Sequence, residues 1–333
     1  MTPTNIASDR SEGAYGTERH LEHHTIRTAD GWSLQLTRVV RRGERAGQPV
    51  LFIPGYGMNA WIVQYHPRGR SFADVLLEGG FDPWGIDLRG TSTSKGPTRP
   101  SFQAMSTHDL PAAIDYIRNF RSAERVHAIG CSLGGAMLLG HAAFAPSPGL
   151  DRVVTIGTPL RWPRDLRTRL LSTLMRTAGS IPMRGTRAWT AVALPVVSRL
   201  VPSALSIYLN PRITDVRMAS ELTRTVEDPL PVINRALGHW MRSDLRIQGR
   251  PVAPALKRFD RPLLVMYGSG DGIVPREAAL SVVGTTRGPV EVLEVEHPDG
   301  EPVGHADLFI SDVAPTRVFE PVTRFLRGPA DAP

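Results

Sequence analysis

The 333-residue chain contains 41% hydrophobic residues, 31 glycines, 29 prolines and one cysteine, a composition typical of a globular protein with a large core. The single cysteine excludes an intramolecular disulfide bond and a zinc site built on cysteines. No apolar run approaches the ~20 residues of a membrane-spanning helix, and the first residues lack the apolar stretch of a secretory signal, so we expect a cytoplasmic location.

The net charge of +7 is concentrated in one part of the chain. Residues 161–258 hold 17 basic and six acidic residues, or +11, which leaves −4 in the remainder. No DNA-reading or RNA-reading motif accompanies this basic segment, so we expect no nucleic-acid partner.

The N-terminal part of the chain changes from polar to strand-like sequence. Residues 1–18 are polar without apolar periodicity and predict a flexible tail. Residues 24–40 predict two antiparallel strands joined at Asp30 and Gly31, because an Asp-Gly pair favours the positive φ of a hairpin turn.

Strands and helices then alternate along the chain. Apolar, β-branched runs predict buried strands, helical spacing predicts helices between them, and the alternation indicates a mostly parallel α/β sheet flanked by helices. The runs are 49–55, 81–90, 126–130, 153–159 and 262–270 for strands, and 71–80, 108–120 and 131–144 for helices. We expect residues 19–160 and 259–333 to form this core. Residues 161–258, with proline-broken helical runs, are predicted to form an inserted helical cap.

A Gly-x-Ser-x-Gly motif, in which Gly130, Cys131, Ser132, Leu133 and Gly134 follow one another, is the strongest chemical signal. Its glycines allow a strand to turn sharply into a helix with the serine hydroxyl at the apex, and this match falls between a predicted strand and a predicted helix. Ser132 is therefore the candidate nucleophile. Cys131 is a rival, although the position beside the apex directs its side chain away.

A serine hydroxyl needs a base, and the base needs a carboxylate that orients it. Asp271 follows the strand at 262–270 and would lie at the C-terminal edge of the sheet. His305 comes after Asp271, on a loop before a helix expected at the end of the chain. Asp260 precedes the strand and Asp299 lies too far beyond it, while His297 stands at a strand-like end. We therefore predict Asp271 as the acid and His305 as the base, with these three as weaker alternatives.

Two backbone N–H groups are expected to bind the oxyanion that develops on the substrate. They belong to Leu133, directly after the nucleophile, and to Tyr56, in the glycine-containing loop after the first buried strand. Other polar residues near the motif are predicted to have structural roles: His108, His127, His141 and Asp87.

Five segments together resemble the α/β-hydrolase superfamily, in the order in which that superfamily carries them, over residues 23–328. Within the superfamily they look most similar to polyhydroxyalkanoate synthases and acid-lipase-like hydrolases. The segments are IPGYGMNAW, GFDPWGIDLRG, GCSLGG, GSGDGIVP and VGHADLF. The resemblance implies an α/β-hydrolase fold, but a fold alone does not identify the substrate.

Two departures from these families are informative. The synthases carry cysteine where this chain has Ser132, which favours hydrolysis over chain-building transfer. The usual Gly-x-Gly-x-Ser pattern after Asp-Leu-Arg is here the run 90–94, GTSTS. The aspartate nucleophile of dehalogenases and epoxide hydrolases is absent.

These observations predict a carboxylic ester hydrolase that works through an acyl-enzyme without a metal or organic cofactor. The apolar cap indicates an acyl or lipid-like ester, and its arginines indicate an anionic head group or contact with an anionic membrane, although solvated helix faces explain them equally well. The alternatives are an acyltransferase that uses an ester or a thioester such as acyl-CoA, and a non-catalytic binding protein on the same fold. The sequence gives no oligomeric state.

Overall fold

A nine-stranded sheet forms the centre of the computed structural model, which describes residues 6–12, 18–41, 43, 47–145, 148–201 and 205–328. The order of strands across the sheet is β1-β2-β3-β5-β4-β6-β7-β10-β11, and β8 pairs with β9 in a separate hairpin. The strands are β1 Ile6–Glu12, β2 Glu18–Arg27, β3 Ser33–Arg41, β4 Gln48–Ile53, β5 Phe81–Asp87, β6 Val126–Cys131, β7 Leu150–Ile156, β8 Arg246–Ile247, β9 Arg250–Pro251, β10 Leu263–Gly268 and β11 Val290–Val295.

Helices connect the strands and cover the sheet. They are α1 Trp61–Gln64, α2 Phe72–Glu78, α3 Phe102–Ala104, α4 Leu110–Arg121, α5 Leu133–Phe144, α6 Leu166–Arg176, α7 Thr186–Leu200, α8 Ala219–Leu222, α9 Pro231–Trp240, α10 Val252–Ala255, α11 Arg276–Leu280, α12 Asp307–Ile310 and α13 Glu320–Arg327. Among the described residues, no helix has the length and apolar character needed to cross a membrane.

The apolar sequence of the central strands gives the molecule a core on both sides of the sheet. In β4, Leu51 and Ile53 pack into the layer that contains α4 and α5. Val50 and Phe52 pack into the opposite layer, with α2 and α13. Side chains in a strand alternate between its two faces, so a continuously apolar strand serves two layers at once. The prediction of a mostly parallel sheet flanked by helices is confirmed, since β5, β4, β6, β7, β10 and β11 are joined by parallel pairs.

The N-terminal region confirms one prediction and corrects another. Strands β2 and β3 form the predicted antiparallel hairpin, with Gly31 at φ 88° in the turn. The prediction of a flexible tail over residues 1–18 is wrong for residues 6–12, which form β1 and pair with β2. A strand at the edge of a sheet is held by backbone hydrogen bonds and does not require the apolar periodicity that the prediction sought. Residues 1–5 and 13–17 lie outside the described residues.

Between β7 and β10 the chain forms α6 to α10 and the β8–β9 hairpin, in the segment predicted as a cap. Its first part packs mainly on itself, with α6 against α9. Its last part contributes buried residues such as Ile247 and Leu256 to the core layer of α5. We refer to residues 161–258 below as the insertion.

Candidate active site

Ser132 lies on the sharp turn between β6 and α5. Its backbone has φ 50° and ψ −120°, a conformation that costs a residue with a side chain about 1–3 kcal/mol. Its N–H donates to the carbonyl of Ile156 at the end of β7, at 2.8 Å. The structure therefore places Ser132 at the C-terminal edge of the sheet, on the strand–turn–helix that the motif predicts.

Three glycines allow this turn to be tight. A Cβ atom on Gly134 would lie 2.3 Å from the carbonyl oxygen of Pro54, and one on Gly130 would lie 2.4 Å from the Cα of Gly135. Any side chain at these positions would push α5 away from the ends of β4 and β6. The glycines of the motif thus bring the start of α5 directly against the loop that follows β4.

Asp271 and His305 form a buried hydrogen-bonded pair. His305 Nδ1 lies 2.6 Å from Asp271 Oδ2. The other carboxylate oxygen, Oδ1, accepts the backbone N–H groups of Ile273 and Val274 at 2.9 and 2.8 Å. The carboxylate is thereby fixed in position and fixes the imidazole ring in turn, with Nε2 as the ring nitrogen that is left for chemistry.

The serine and the pair lie on either side of the end of β7. Gly157 directly follows Ile156, the residue that accepts the Ser132 N–H, and a Cβ atom on Gly157 would lie 2.9 Å from His305 Cε1. Within the described chain, Ser132 Oγ makes no hydrogen bond of ordinary length to His305. Such bonds are often long in ligand-free enzymes and shorten when substrate binds.

The two predicted oxyanion donors belong to residues close to Ser132. Leu133 is the first residue of α5, so its N–H has no acceptor within the helix. The Tyr56 N–H makes no hydrogen bond within the described chain, and a Cβ atom on its neighbour Gly55 would lie 3.2 Å from Ser132 Cβ. The partial positive charge of the start of α5 adds to the field of these two donors.

The loop that carries Tyr56 is bound to the insertion. Met58 forms an antiparallel bridge with Val226, and Asn59 Nδ2 donates to Glu227 Oε1 at 2.7 Å. The same carboxylate accepts the backbone N–H and the hydroxyl of Ser92 at 2.9 and 3.0 Å. The sequence predicted a glycine loop here but gave no sign of Glu227, which lies about 170 residues away.

The insertion also binds the loops that carry Asp271 and His305. The Gly272 N–H donates to the carbonyl of Ile207 at 3.0 Å, and the Ala306 N–H donates to the carbonyl of Tyr208 at 2.7 Å. The Tyr208 ring lies 6.3 Å from the His305 ring, measured between centroids. One short stretch of the insertion therefore contacts both the loop of Asp271 and the loop of His305.

Asp307 is a buried residue that the sequence analysis missed. Its carboxylate accepts the Gly304 N–H at 2.7 Å, the Asn210 N–H at 2.8 Å and the Thr214 hydroxyl at 2.6 Å. Burial nevertheless raises the pKa of this carboxyl group to about 6. Asp307 thus ties the loop of His305 to the insertion.

The weaker acid and base candidates lie elsewhere. His297 is near Asp312 and Asp299, at 3.5 and 3.9 Å. Asp260 is exposed and lies 3.6 Å from the guanidinium of Arg261. The structure brings none of these side chains to Asp271 or His305 as a hydrogen-bonding partner.

Cys131 is fully buried beneath the turn. Burial raises the pKa of its thiol, which lowers the fraction of reactive thiolate at neutral pH. This environment is typical of a packing cysteine.

The polar residues that were predicted to have structural roles are buried, half-buried or hydrogen-bonded to the backbone. His127 and His141 are buried and His108 is half-buried. Asp87, at the end of β5, accepts the Ala60 N–H at 2.8 Å.

A narrow cleft lies beside the Tyr56 loop. Its volume is about 30 Å³, and its lining includes Tyr56, Met58, Met137, Leu230 and Ile233. Binding sites for small organic ligands usually measure about 300–1,000 Å³. The described arrangement of the insertion leaves room here for little more than one water molecule.

The amino-acid sequence matches one protein family and is similar to known lipases over part of its length. A family model described as alpha/beta hydrolase fold matches residues 48–301. Triacylglycerol lipase 2 of Arabidopsis thaliana is 30% identical over 149 residues, which are 40% of this chain and 35% of that protein. Lipase member N of Mus musculus is 29% identical over 155 residues, which are 42% of this chain and 38% of that protein. The chain therefore spans little more than a third of the length of these relatives.

Solved structures share the fold over most of the chain. An esterase from Exiguobacterium antarcticum superposes with a TM-score of 0.61 and covers 91% of this chain and 99% of its own, at 17% sequence identity. At this identity the likeness concerns the fold alone.

Proposed function

The chain belongs to the alpha/beta hydrolase fold family, and on this premise we propose that it is a serine hydrolase that cleaves carboxylic esters. One observation carries the proposal. A hydrogen-bonded acid–histidine pair lies at the strand end next to a serine on a strained turn, in the chain order Ser132, Asp271, His305. This is the arrangement that nucleophilic catalysis by serine requires.

The proposed reaction begins when His305 Nε2 accepts the proton of Ser132 Oγ as that oxygen attacks the ester carbonyl. Asp271 keeps the proton on Nδ1 and stabilises the imidazolium that forms. The backbone N–H groups of Tyr56 and Leu133 stabilise the negative charge on the carbonyl oxygen. His305 then returns the proton to the departing alcohol, and a water molecule activated by the same ring releases the acid and restores the serine.

We propose that the substrate is an ester with an apolar acyl chain. The lining of the cleft beside the Tyr56 loop includes the apolar side chains of Met58, Met137, Leu230 and Ile233, together with polar and charged residues. Since its volume of about 30 Å³ is too small for such a chain, the insertion must move away from the Tyr56 loop before substrate binds. The insertion would then act as a cap, as its sequence predicted.

The test measures p-nitrophenol release from short-chain and long-chain acyl esters by the wild type, Ser132→Ala and Cys131→Ala, with a fluorophosphonate label mapped by mass spectrometry. We expect labelling at Ser132 and turnover in the wild type and in Cys131→Ala, and loss of both in Ser132→Ala. Unchanged turnover in Ser132→Ala would overturn the proposal.

The same assay with an added alcohol separates hydrolysis from acyl transfer. Hydrolysis predicts free acid as the main product, whereas a transferase would form the new ester in preference to the acid. Absence of labelling and turnover in the wild type would instead favour a binding protein.

A further inference from the structure

Large apolar side chains are exposed in one stretch of the insertion. Of the sixteen that are exposed in the described part of the chain, ten lie between residues 166 and 201. We call this group the apolar face. Its members are Leu166, Leu170, Leu174, Ile181, Met183, Trp189, Val192, Val196, Leu200 and Val201.

In α6 the exposed apolar side chains form a row opposite the packed side. Leu166, Leu170 and Leu174 are spaced by four residues, so they lie above one another on one side of the helix. Thr168 and Ser172 are the buried residues of α6, and at 100° per residue they lie on the opposite side. The leucine row therefore points away from the neighbouring helix α9.

Helix α7 has the same arrangement. Trp189, Val192, Val196 and Leu200 recur at helical spacing, and Trp189 is 74% exposed. The buried residue of this helix, Leu194, lies on the opposite side. Helix α6 thus buries two small polar residues and α7 buries one leucine, while both helices expose most of their large apolar side chains. Such exposure is unusual for a surface that faces only water.

The charges in this stretch of the chain are mainly positive. Residues 161–201 contain eight arginines and one acidic residue. The acidic residue, Asp165, accepts the Thr168 N–H at the start of α6. In the described chain, Arg169, Arg176 and Arg199 are exposed and have no carboxylate within ion-pair distance.

We propose that the apolar face docks on the surface of a lipid bilayer that contains anionic lipids. Its apolar rows would enter the boundary between head groups and acyl chains, and the arginines beside them would contact the phosphates. A second copy of the chain fits less well, because a symmetric dimer through this face would place eight arginines against eight others. The proposal concerns binding and does not depend on ester hydrolysis.

The test is co-sedimentation with vesicles of phosphatidylcholine alone and of phosphatidylcholine mixed with phosphatidylglycerol. All proteins carry Ser132→Ala, so that the lipids stay intact and a failure of docking is distinct from a failure of catalysis. The fluorescence of Trp189 supplies a second readout: the difference spectrum between this protein and its Trp189→Phe variant should shift to shorter wavelength on the mixed vesicles.

Two pairs of variants examine the apolar and the charged contributions. Leu170→Ser with Val196→Ser should weaken binding to the mixed vesicles by about tenfold or more, whereas the matched control Val283→Ser with Val292→Ser, exposed elsewhere, should not. Arg169→Gln with Arg176→Gln should reduce the preference for phosphatidylglycerol, and Arg287→Gln with Arg317→Gln should preserve it. Circular dichroism checks that each variant is folded.

Absence of binding to the mixed vesicles would overturn the proposal, as would equal losses in the test and control variants. Light scattering examines the rival occupant: a dimer in solution that the Leu170→Ser, Val196→Ser variant abolishes, together with no vesicle binding, would assign the face to a second copy.

Discussion

The carboxylate of Asp271 performs two tasks through its two oxygen atoms. Oδ1 accepts the N–H groups of Ile273 and Val274, and Oδ2 faces His305 Nδ1. In Asp271→Asn the amide oxygen can keep the first pair, but the NH₂ group then faces the imidazole and favours the ring tautomer that carries its proton on Nε2. That ring cannot accept the serine proton.

We therefore expect Asp271→Asn to fold normally and to lose about 10⁴-fold in kcat, the size of effect seen when a triad aspartate loses its charge. The measurement is ester hydrolysis with circular dichroism as a folding check. Asp299→Asn, at an exposed position, should retain full activity; similar rates for the two variants would contradict the assigned acid.

Asp307 should make the stability of the protein depend on pH. Its folded-state pKa of about 6 lies above the reference value of 3.8 because of burial, so the folded state holds this proton more tightly than the unfolded state. The free energy of unfolding should then fall as pH rises from about 4 to about 6, by about 3 kcal/mol from this group.

Urea unfolding near pH 4 and near pH 7 tests this expectation with Asp307→Asn, which is neutral at both values. The stability of the variant relative to the wild type should increase as pH rises. Asp307→Ala should be less stable than Asp307→Asn, because the buried N–H groups of Gly304 and Asn210 lose their acceptor. A wild-type-to-Asn difference that is the same at both pH values would exclude a raised pKa.

The sequence could predict the residues of the candidate site whose positions follow from chain order. Ser132 and Asp271 each follow a predicted strand, and parallel strands end at one edge of the sheet. His305 was predicted from its position on a loop after Asp271. Asp307 and Glu227 could not be predicted in this way, because their partners Asn210, Thr214 and Asn59 are brought to them only by the path of the insertion.

At the scale of elements, the loop after β4 and the segment around Glu227 form one unit. Glu227→Ala removes the acceptor of Asn59 and Ser92 while the backbone bridge between Met58 and Val226 remains. The backbone N–H of Tyr56, which we propose as an oxyanion donor, should then be held less accurately.

We expect Glu227→Ala to reduce kcat by about tenfold or more, as for a partial loss of one oxyanion donor, with little change in KM. Glu221→Ala is the matched control on the same insertion, because Glu221 pairs with its helical neighbour Arg224. The measurements are kcat and KM for one ester and Tm for each variant. A Tm that falls in parallel with kcat would indicate a purely structural role.

The central strands show why element type was predictable and why the N-terminal strand was not. The central residues of β4, β6, β7 and β10 are mostly apolar, since they are buried on both faces of the sheet, and a run of this kind predicts a buried strand. Strand β1 carries the polar sequence IASDRSE, so its pairing with β2 depends on a neighbour rather than on its own composition.

At the scale of the whole molecule, the chain combines a sheet with two packed layers and an insertion whose first part is exposed. Local stability follows buried contacts, so the stretch between α6 and α7, residues 177–185, should open before any strand of the sheet. Arg184 is exposed there and offers a cleavage site.

Limited trypsin digestion should therefore cut first after Arg184 or Arg176, and the nicked protein should still react with a fluorophosphonate at Ser132. Mass spectrometry identifies the first cleavage. Arg287 is an exposed reference site whose N–H is bound to the carbonyl of Phe259, and it should be cut later. First cleavage within the sheet region would show that the insertion is as firmly held as the core.

The backbone of Ser132 has a consequence for evolution under selection for stability. Alanine at this position would keep the strain of φ 50°, whereas glycine would relieve about 1–3 kcal/mol of strain. Part of that gain would be lost, because glycine loses more conformational entropy on folding. Ser132→Gly should therefore have a higher Tm than Ser132→Ala. If so, the residue that makes the fold most stable at this position differs from the residue that supplies the proposed nucleophile.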